Sequence, residues 1–121
     1  MPHVILEGSI TPEDIWVAFQ PIEFSEKGNR YKAEEAYLSR DKEDLLIRSI
    51  SVERGFMKHF FVRITKKGWG VSLGIEKLAA PDASEGVKRL VGLYAWMILQ
   101  NAPDVVVGST NIADHLGEPK G

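Results

Sequence analysis

The chain has 121 residues, 44% of them hydrophobic and 26% charged, with a net charge of -2 at pH 7. That balance suits one globular domain over 1–121 that buries a core, and it excludes intrinsic disorder, which needs low hydrophobicity and high net charge. The acidic sum argues against nucleic acid as a partner, and the absence of cysteine removes disulfides, thiolate metal sites and cysteine nucleophiles and fits a cytoplasmic protein.

The first residues, Met1 to Glu7, lack the basic start and long apolar run of a signal peptide. Val4, Ile5 and Leu6 suit a short strand, stopped by Gly8-Ser9. Thr11-Pro12-Glu13-Asp14 then carries three helix-start signals: a capping hydroxyl, a proline at the first helical position and an acid three residues after the cap. Ile15, Trp16 and Phe19 recur at helical spacing, so a helix over 11–20 packs inward along that stripe and stops before Pro21. Ser25 to Asn29 reads as a polar turn.

Four strands follow, at 30–39, 45–53, 56–66 and 69–75, joined through 40–44, Arg54-Gly55 and Lys67-Gly68. The last two are two-residue loops with glycine second, a hairpin signature. These turns predict a register. Ile64 faces Val71, Val62 faces Leu73 and Phe60 faces Ile75 in one hairpin, while Leu45 faces Ile64 and Ile47 faces Val62 in the next. Leu38 and Ala36 extend the same face opposite Leu45 and Ile47. A slip of one residue would scramble this apolar face, so it is assigned to the core.

The opposite face is richer than a solvated sheet requires. It collects Tyr31, Ala33, Glu35 and Tyr37, then Leu46, Arg48, Ile50 and Val52, then Met57, His59, Phe61 and Arg63, beside a nearly bare strand of Gly70, Ser72 and Gly74. Glu35 is expected to pair with Arg48 across strands, and the Glu34-Glu35 dipeptide to point to opposite faces. A covering by the 11–20 helix, by a second subunit or by a ligand would each account for the composition.

A Pro/Asp/Ser linker over 79–84 leads to a helix from Ser84 to Asn101, ended by Ala102-Pro103. Val87, Leu90, Val91, Tyr94, Met97 and Ile98 form its inward stripe, and Trp96 falls nearly opposite with Leu99 nearby. Trp96 is expected either under the segment 105–116 or in an oligomer interface. The longest apolar run, 93–99, is far short of the roughly 20 residues that span a membrane. Val105–Val107 suits a last short strand, 108–110 a turn, 111–116 one helical turn and 117–121 a frayed tail.

The fold class is therefore α+β: an antiparallel four-strand meander over about 30–75, short N- and C-terminal strands, a long helix over about 84–101 and an N-terminal helix over about 11–20. This order resembles that of ligand-binding helix-grip folds, with fewer strands and an added terminal strand; likeness of fold implies no function.

Catalytic motifs are absent from the sequence. The three histidines, His3, His59 and His115, have no metal-protease spacing, and the glycine run 68–74 lacks both the third fingerprint glycine and the following helix of a dinucleotide loop. No catalytic residue, metal ligand or cofactor is assigned. The leading expectation is a module acting by association, most simply a homodimer, through Trp96 and Leu99 or through Tyr31, Tyr37 and Phe61. The alternative is a protein binding a small anion or other small molecule over the Gly70/Ser72/Gly74 strand, with Arg48, His59, Arg63, Ser72 and Glu35 as binding groups.

Overall fold

The computed structural model describes residues 2–76 and 84–119. It is an α+β fold with a seven-stranded antiparallel sheet: β1 (Val4–Glu7), β2 (Ile22–Glu26), β3 (Asn29–Leu38), β4 (Asp44–Glu53), β5 (Phe56–Lys67), β6 (Gly70–Ile75) and β7 (Val106–Thr110), in spatial order β2-β3-β4-β5-β6-β1-β7. Two helices, α1 (Pro12–Ala18) and α2 (Glu85–Asn101), contact the same face of the sheet, and Ala113–His115 form a single 3-10 turn.

The apolar face assigned from the pattern is the core. Phe60, Val62, Ile64, Val71, Leu73 and Leu45 are all buried beneath α2, whose own Val87, Leu90, Val91, Leu93 and Ala95 are fully enclosed. Leu45 opposes Ile64 and Ile47 opposes Val62, as the Arg54-Gly55 turn requires, both turn residues having positive φ.

Several local expectations are corrected. The loop between β5 and β6 is Gly68-Trp69, so Ile64 faces Leu73 and Val62 faces Ile75. This register differs from the expected one by two residues, and a two-residue slip leaves every side chain on its face, so the apolar pattern could not distinguish them. Gly70, which opens β6, lies so close to β1 that a Cβ there would overlap the Leu6 carbonyl.

A strand, β2, occupies part of the stretch read as a polar turn. The turn itself is Lys27-Gly28, with φ of 51° and 82°, and Glu26 opposes Asn29. The strand β1 lies between β6 and β7 instead of at an edge. Helix α1 ends at Ala18, two residues early, and β7 extends through the expected 108–110 turn. The linker over 79–84 lies outside the described residues except for Ser84.

The largest correction lies in β3. Ala33 opposes Ser49 while Glu35 opposes Arg48, so Glu34 is an extra residue in the ladder, a β-bulge. Beyond it the faces exchange. Tyr31 and Ala33, expected on the outer face, are buried on the core face with Ser49 and Ser51, and Tyr31 stacks on Phe24 at 5.0 Å between ring centroids. Glu34 and Glu35 both lie outward between the buried Ala33 and Ala36, not on opposite faces. The cross-strand ion pair of Arg48 is accordingly with Glu34, at 3.3 Å, not with Glu35.

Helix α2 is tied at both ends of its first half. Its N-terminus is closed by Ser84, which accepts from the Val87 N–H, and by Glu53 of β4, which accepts from the Gly86 N–H at 2.9 Å and from the Ser84 and Ser51 hydroxyls at 2.7 and 2.9 Å. A carboxylate here also meets the positive end of the helix dipole. One turn on, Arg89 forms a buried ion pair with Glu26 of β2 and donates to the carbonyls of His115, Gly117 and Glu118. Removing one partner of a pair this buried leaves an uncompensated charge, at about 3–5 kcal/mol.

Burial alone would raise the Glu53 pKa, but the bonds from Ser84, Gly86 and Ser51 outweigh it and hold the carboxyl below its ordinary range. A group with a depressed folded-state pKa stabilises above its unfolded pKa and loses that contribution as pH falls through the folded value. Glu53→Gln is therefore expected to cost about 1–2 kcal/mol at neutral pH. Its denaturation midpoint should converge on that of the parent as the pH drops below the ordinary carboxylate range. A difference independent of pH would show that the charge is not what the helix end uses.

Candidate ligand cavity

The bulge in β3 places the small Ala33 on the concave face beside Ile47 and Ile64, and no large side chain fills the space above them. The result is a cavity of about 300 Å3 between the sheet and the two helices. Its floor is Ala33, Ile47 and Ile64. One wall is Ile10, Ile15, Ala18 and Phe19 with Ile22, and the other is Tyr94, Met97, Ile98 and Ala102 of α2 and its cap. The polar lining residues, Ser9, Asp14, Gln20 and Asn101, are all exposed and mark the mouth.

Local sequence explains why α1 holds its wall. Thr11 accepts from the Asp14 N–H and Asp14 accepts from the Thr11 N–H at 3.1 Å, the reciprocal capping box expected from the sequence. The indole of Trp16 donates to the Ala36 carbonyl at 3.2 Å and pins the helix to β3. Ile15 is thereby turned down onto the sheet.

One hydrogen-bonded pair interrupts the apolar interior. The Ser49 hydroxyl donates to the Ile47 carbonyl at 3.0 Å and lies 2.8 Å from the Tyr94 hydroxyl. Serine has one proton, so Tyr94 donates to Ser49. Burial pushes the Tyr94 pKa up despite this bond, so the phenol stays protonated throughout the ordinary pH range.

The binding groups expected from the sequence are distributed over the opposite, outer face. Arg63 is held by Asp44 at 2.9 Å and Glu76 at 3.2 Å, and its guanidinium keeps the Asp44 carboxyl below its usual range. Arg48 is paired with Glu34 and lies 6.0 Å from the Tyr37 ring centroid. Glu35 accepts from the Ala36 N–H, and exposed His59 contacts the Met57 sulfur. Ser72, opposite Thr65, is half-buried. Both arginines thus already have carboxylate partners, and the cavity lies on the other side of the sheet. Among the described residues, no group of three acidic or histidine side chains could hold a metal ion.

Of the expected interface residues, Tyr37 is 45% exposed and meets Phe61 edge-on at 6.4 Å, whereas Tyr31 is buried in the core. Trp96 and Leu99 are half-buried against the core together with Leu116. The C-terminal segment packs on that side of α2 so closely that a Cβ at Gly92 would overlap the His115 carbonyl.

Comparison with protein-family models, with curated proteins and with solved structures found no significant match.

The Ser49–Tyr94 pair yields an asymmetric prediction. Ser49→Ala leaves a buried phenol without an acceptor and is expected to cost about 1–3 kcal/mol, whereas Tyr94→Phe leaves Ser49 bonded to Ile47 and should cost nearer 1 kcal/mol. Urea denaturation of the two variants checks the order; the reverse order would mean that Tyr94 donates elsewhere.

Proposed function

We propose that this protein binds a small, predominantly apolar molecule in the cavity between the sheet and the two helices. The observation that carries the reading is an open, apolar-walled cavity of about 300 Å3 that reaches the buried core face of the sheet. Ligand pockets have this character: concave, mostly hydrophobic, with a few placed polar groups. An unfilled apolar void costs several kcal/mol, and a ligand that fills it recovers the lost contacts. The volume is about twice the roughly 150 Å3 that takes up one benzene, which suits one or two rings better than a long acyl chain.

The lining supports binding over catalysis. Its one buried titratable group, Tyr94, stays protonated and is engaged with Ser49. Among the described residues the lining holds no histidine, cysteine or lysine, and its carboxylate, Asp14, is engaged by the Thr11 N–H at the helix cap.

A neutral two-ring probe such as indole is expected to bind saturably and to raise the melting temperature, by an amount equivalent to about 2.7 kcal/mol at a hundred times its Kd. Ala33→Leu and Met97→Trp each fill part of the cavity and should weaken binding at least about tenfold while the chain remains folded. Uptake that is absent in the parent, or unchanged from the parent in both filled variants, counts against the cavity.

A second reading, association of two copies through the outer sheet face, is favoured by the exposure of Tyr37 (45%) beside Phe61 on that face. Apolar clusters of this kind mark interaction surfaces. Light scattering is expected to report a dimer that Tyr37→Lys with Phe61→Glu dissociates. A parent chain that stays monomeric at high concentration ends this reading.

A further inference from the structure

We infer that the ligand of this cavity carries a hydrogen-bond-donating polar end, best a protonated amine, and that an anionic end is refused. The inference rests on the cavity proposed above and concerns the chemistry of its mouth.

Among the described residues, Asp14 supplies the only formal charge in the lining, and no arginine, lysine or histidine lines the cavity. Its Oδ2 accepts from the Thr11 N–H, and Oδ1 makes no hydrogen bond among the described residues. Lys42 pairs with Glu13 of this helix at 3.1 Å, and neither residue lines the cavity. The two acids of the first turn, Glu13 and Asp14, oppose the positive end of α1.

The other side of the mouth, at the end of α2, offers acceptors and no cation among the described residues. Asn101 and Ala102 are the last residue and the cap of the 17-residue α2, and no basic residue stands in its last turn. The carbonyl end of a helix carries a partial negative charge, and here no cationic side chain faces it, although the Ala102 carbonyl accepts from the Val105 N–H at 3.0 Å. Asn101 also spends one amide N–H on the Met97 carbonyl at 3.1 Å, while its own Oδ1 remains an acceptor. Within the cavity, Tyr94 gives its proton to Ser49. Ser9 and Gln20 are neutral and adapt to either partner. A carboxylate or phosphate entering here meets the Asp14 charge and, among the described lining residues, no cation, whereas an ammonium finds acceptors in Asp14 and in the Asn101 Oδ1.

The test uses three probes that share one ring: 2-phenylethylamine, 2-phenylethanol and 3-phenylpropanoate, titrated calorimetrically at low salt. The amine is expected to bind tightest and the carboxylate weakest, with about three- to tenfold between them for contacts at a partly solvated mouth. Asp14→Asn keeps an oxygen for the Thr11 N–H, and so the helix cap, while removing the charge. It should compress the amine-to-carboxylate ratio several-fold and leave the alcohol unchanged. Asn101→Lys, at an exposed helix C-terminus where a cation is favourable, should reverse the order. If the alcohol binds but the carboxylate equals the amine, or if neither substitution moves the ratio, the charge inference is overturned and the apolar cavity stands. If none of the three probes binds, both fail.

Discussion

Between Ala33 and Ala36 the third strand carries two outward residues where a regular strand has one. That single inserted residue bends the strand and raises its twist, so that its N-terminal half, with β2 attached, turns toward the helices. It also reverses the facing of every residue before it. Tyr31 and Ala33 become part of the concave face, and Ile22 and Phe24 follow because they pair with Ala33 and Tyr31. Without the bulge, Glu34 would project into the core and Ala33 would face outward. The cavity depends on this exchange, because the methyl side chain of Ala33 forms the part of its floor where a larger residue would close it.

A cavity beside a core needs its walls held from elsewhere, and the polar ties of the molecule provide that. Glu53 grips the N-terminus of α2, and Arg89 connects the next turn to Glu26 on β2 and to the C-terminal segment. These charge-assisted bonds gather around the first half of the helix. The second half, from Tyr94 to Asn101, is left to face the cavity, and α1 faces it from the other side, fixed by its capping box and by Trp16 on the Ala36 carbonyl. Anchoring the first half of α2 through buried ionic contacts, whose partners cannot be rehydrated cheaply, helps to hold the helix off the sheet where its second half lines the cavity.

The outer face shows how misleading composition can be. Its aromatic residues and arginines suggested a covered site, yet both helices lie on the concave face. Arg48 and Arg63 are each balanced by carboxylates, and the aromatic rings contact one another and the arginine beside them. The carboxylate partners were not visible from alternation alone. Glu34 reaches Arg48 only because of the bulge, and Glu76 lies beyond the end of β6, where a period-two pattern stops assigning faces. The missed strand β2 had a legible signal, the alternation of Ile22 and Phe24 before Lys27-Gly28, which was hidden by reading the polar residues around it as one longer turn.

By itself, the sequence determined the elements whose signals are local or repeated: the capping box of α1, the Ser84 start of α2, the Arg54-Gly55 turn, and the apolar face carried by Leu45, Phe60, Val62, Ile64, Val71 and Leu73. Each of these rests on bonding or periodicity within a few residues, and a two-residue slip in the β5–β6 hairpin could not damage it. The tertiary structure decided what local rules do not encode. It placed the bulge, set β1 inside the sheet, laid the C-terminal segment against the Gly92 side of α2, and left a space among Ile15, Phe19, Ala33, Ile47 and Met97. In a sequence those residues are simply apolar. Whether apolar side chains meet or stand apart is set by the curvature of the sheet and the distance at which its helices are held.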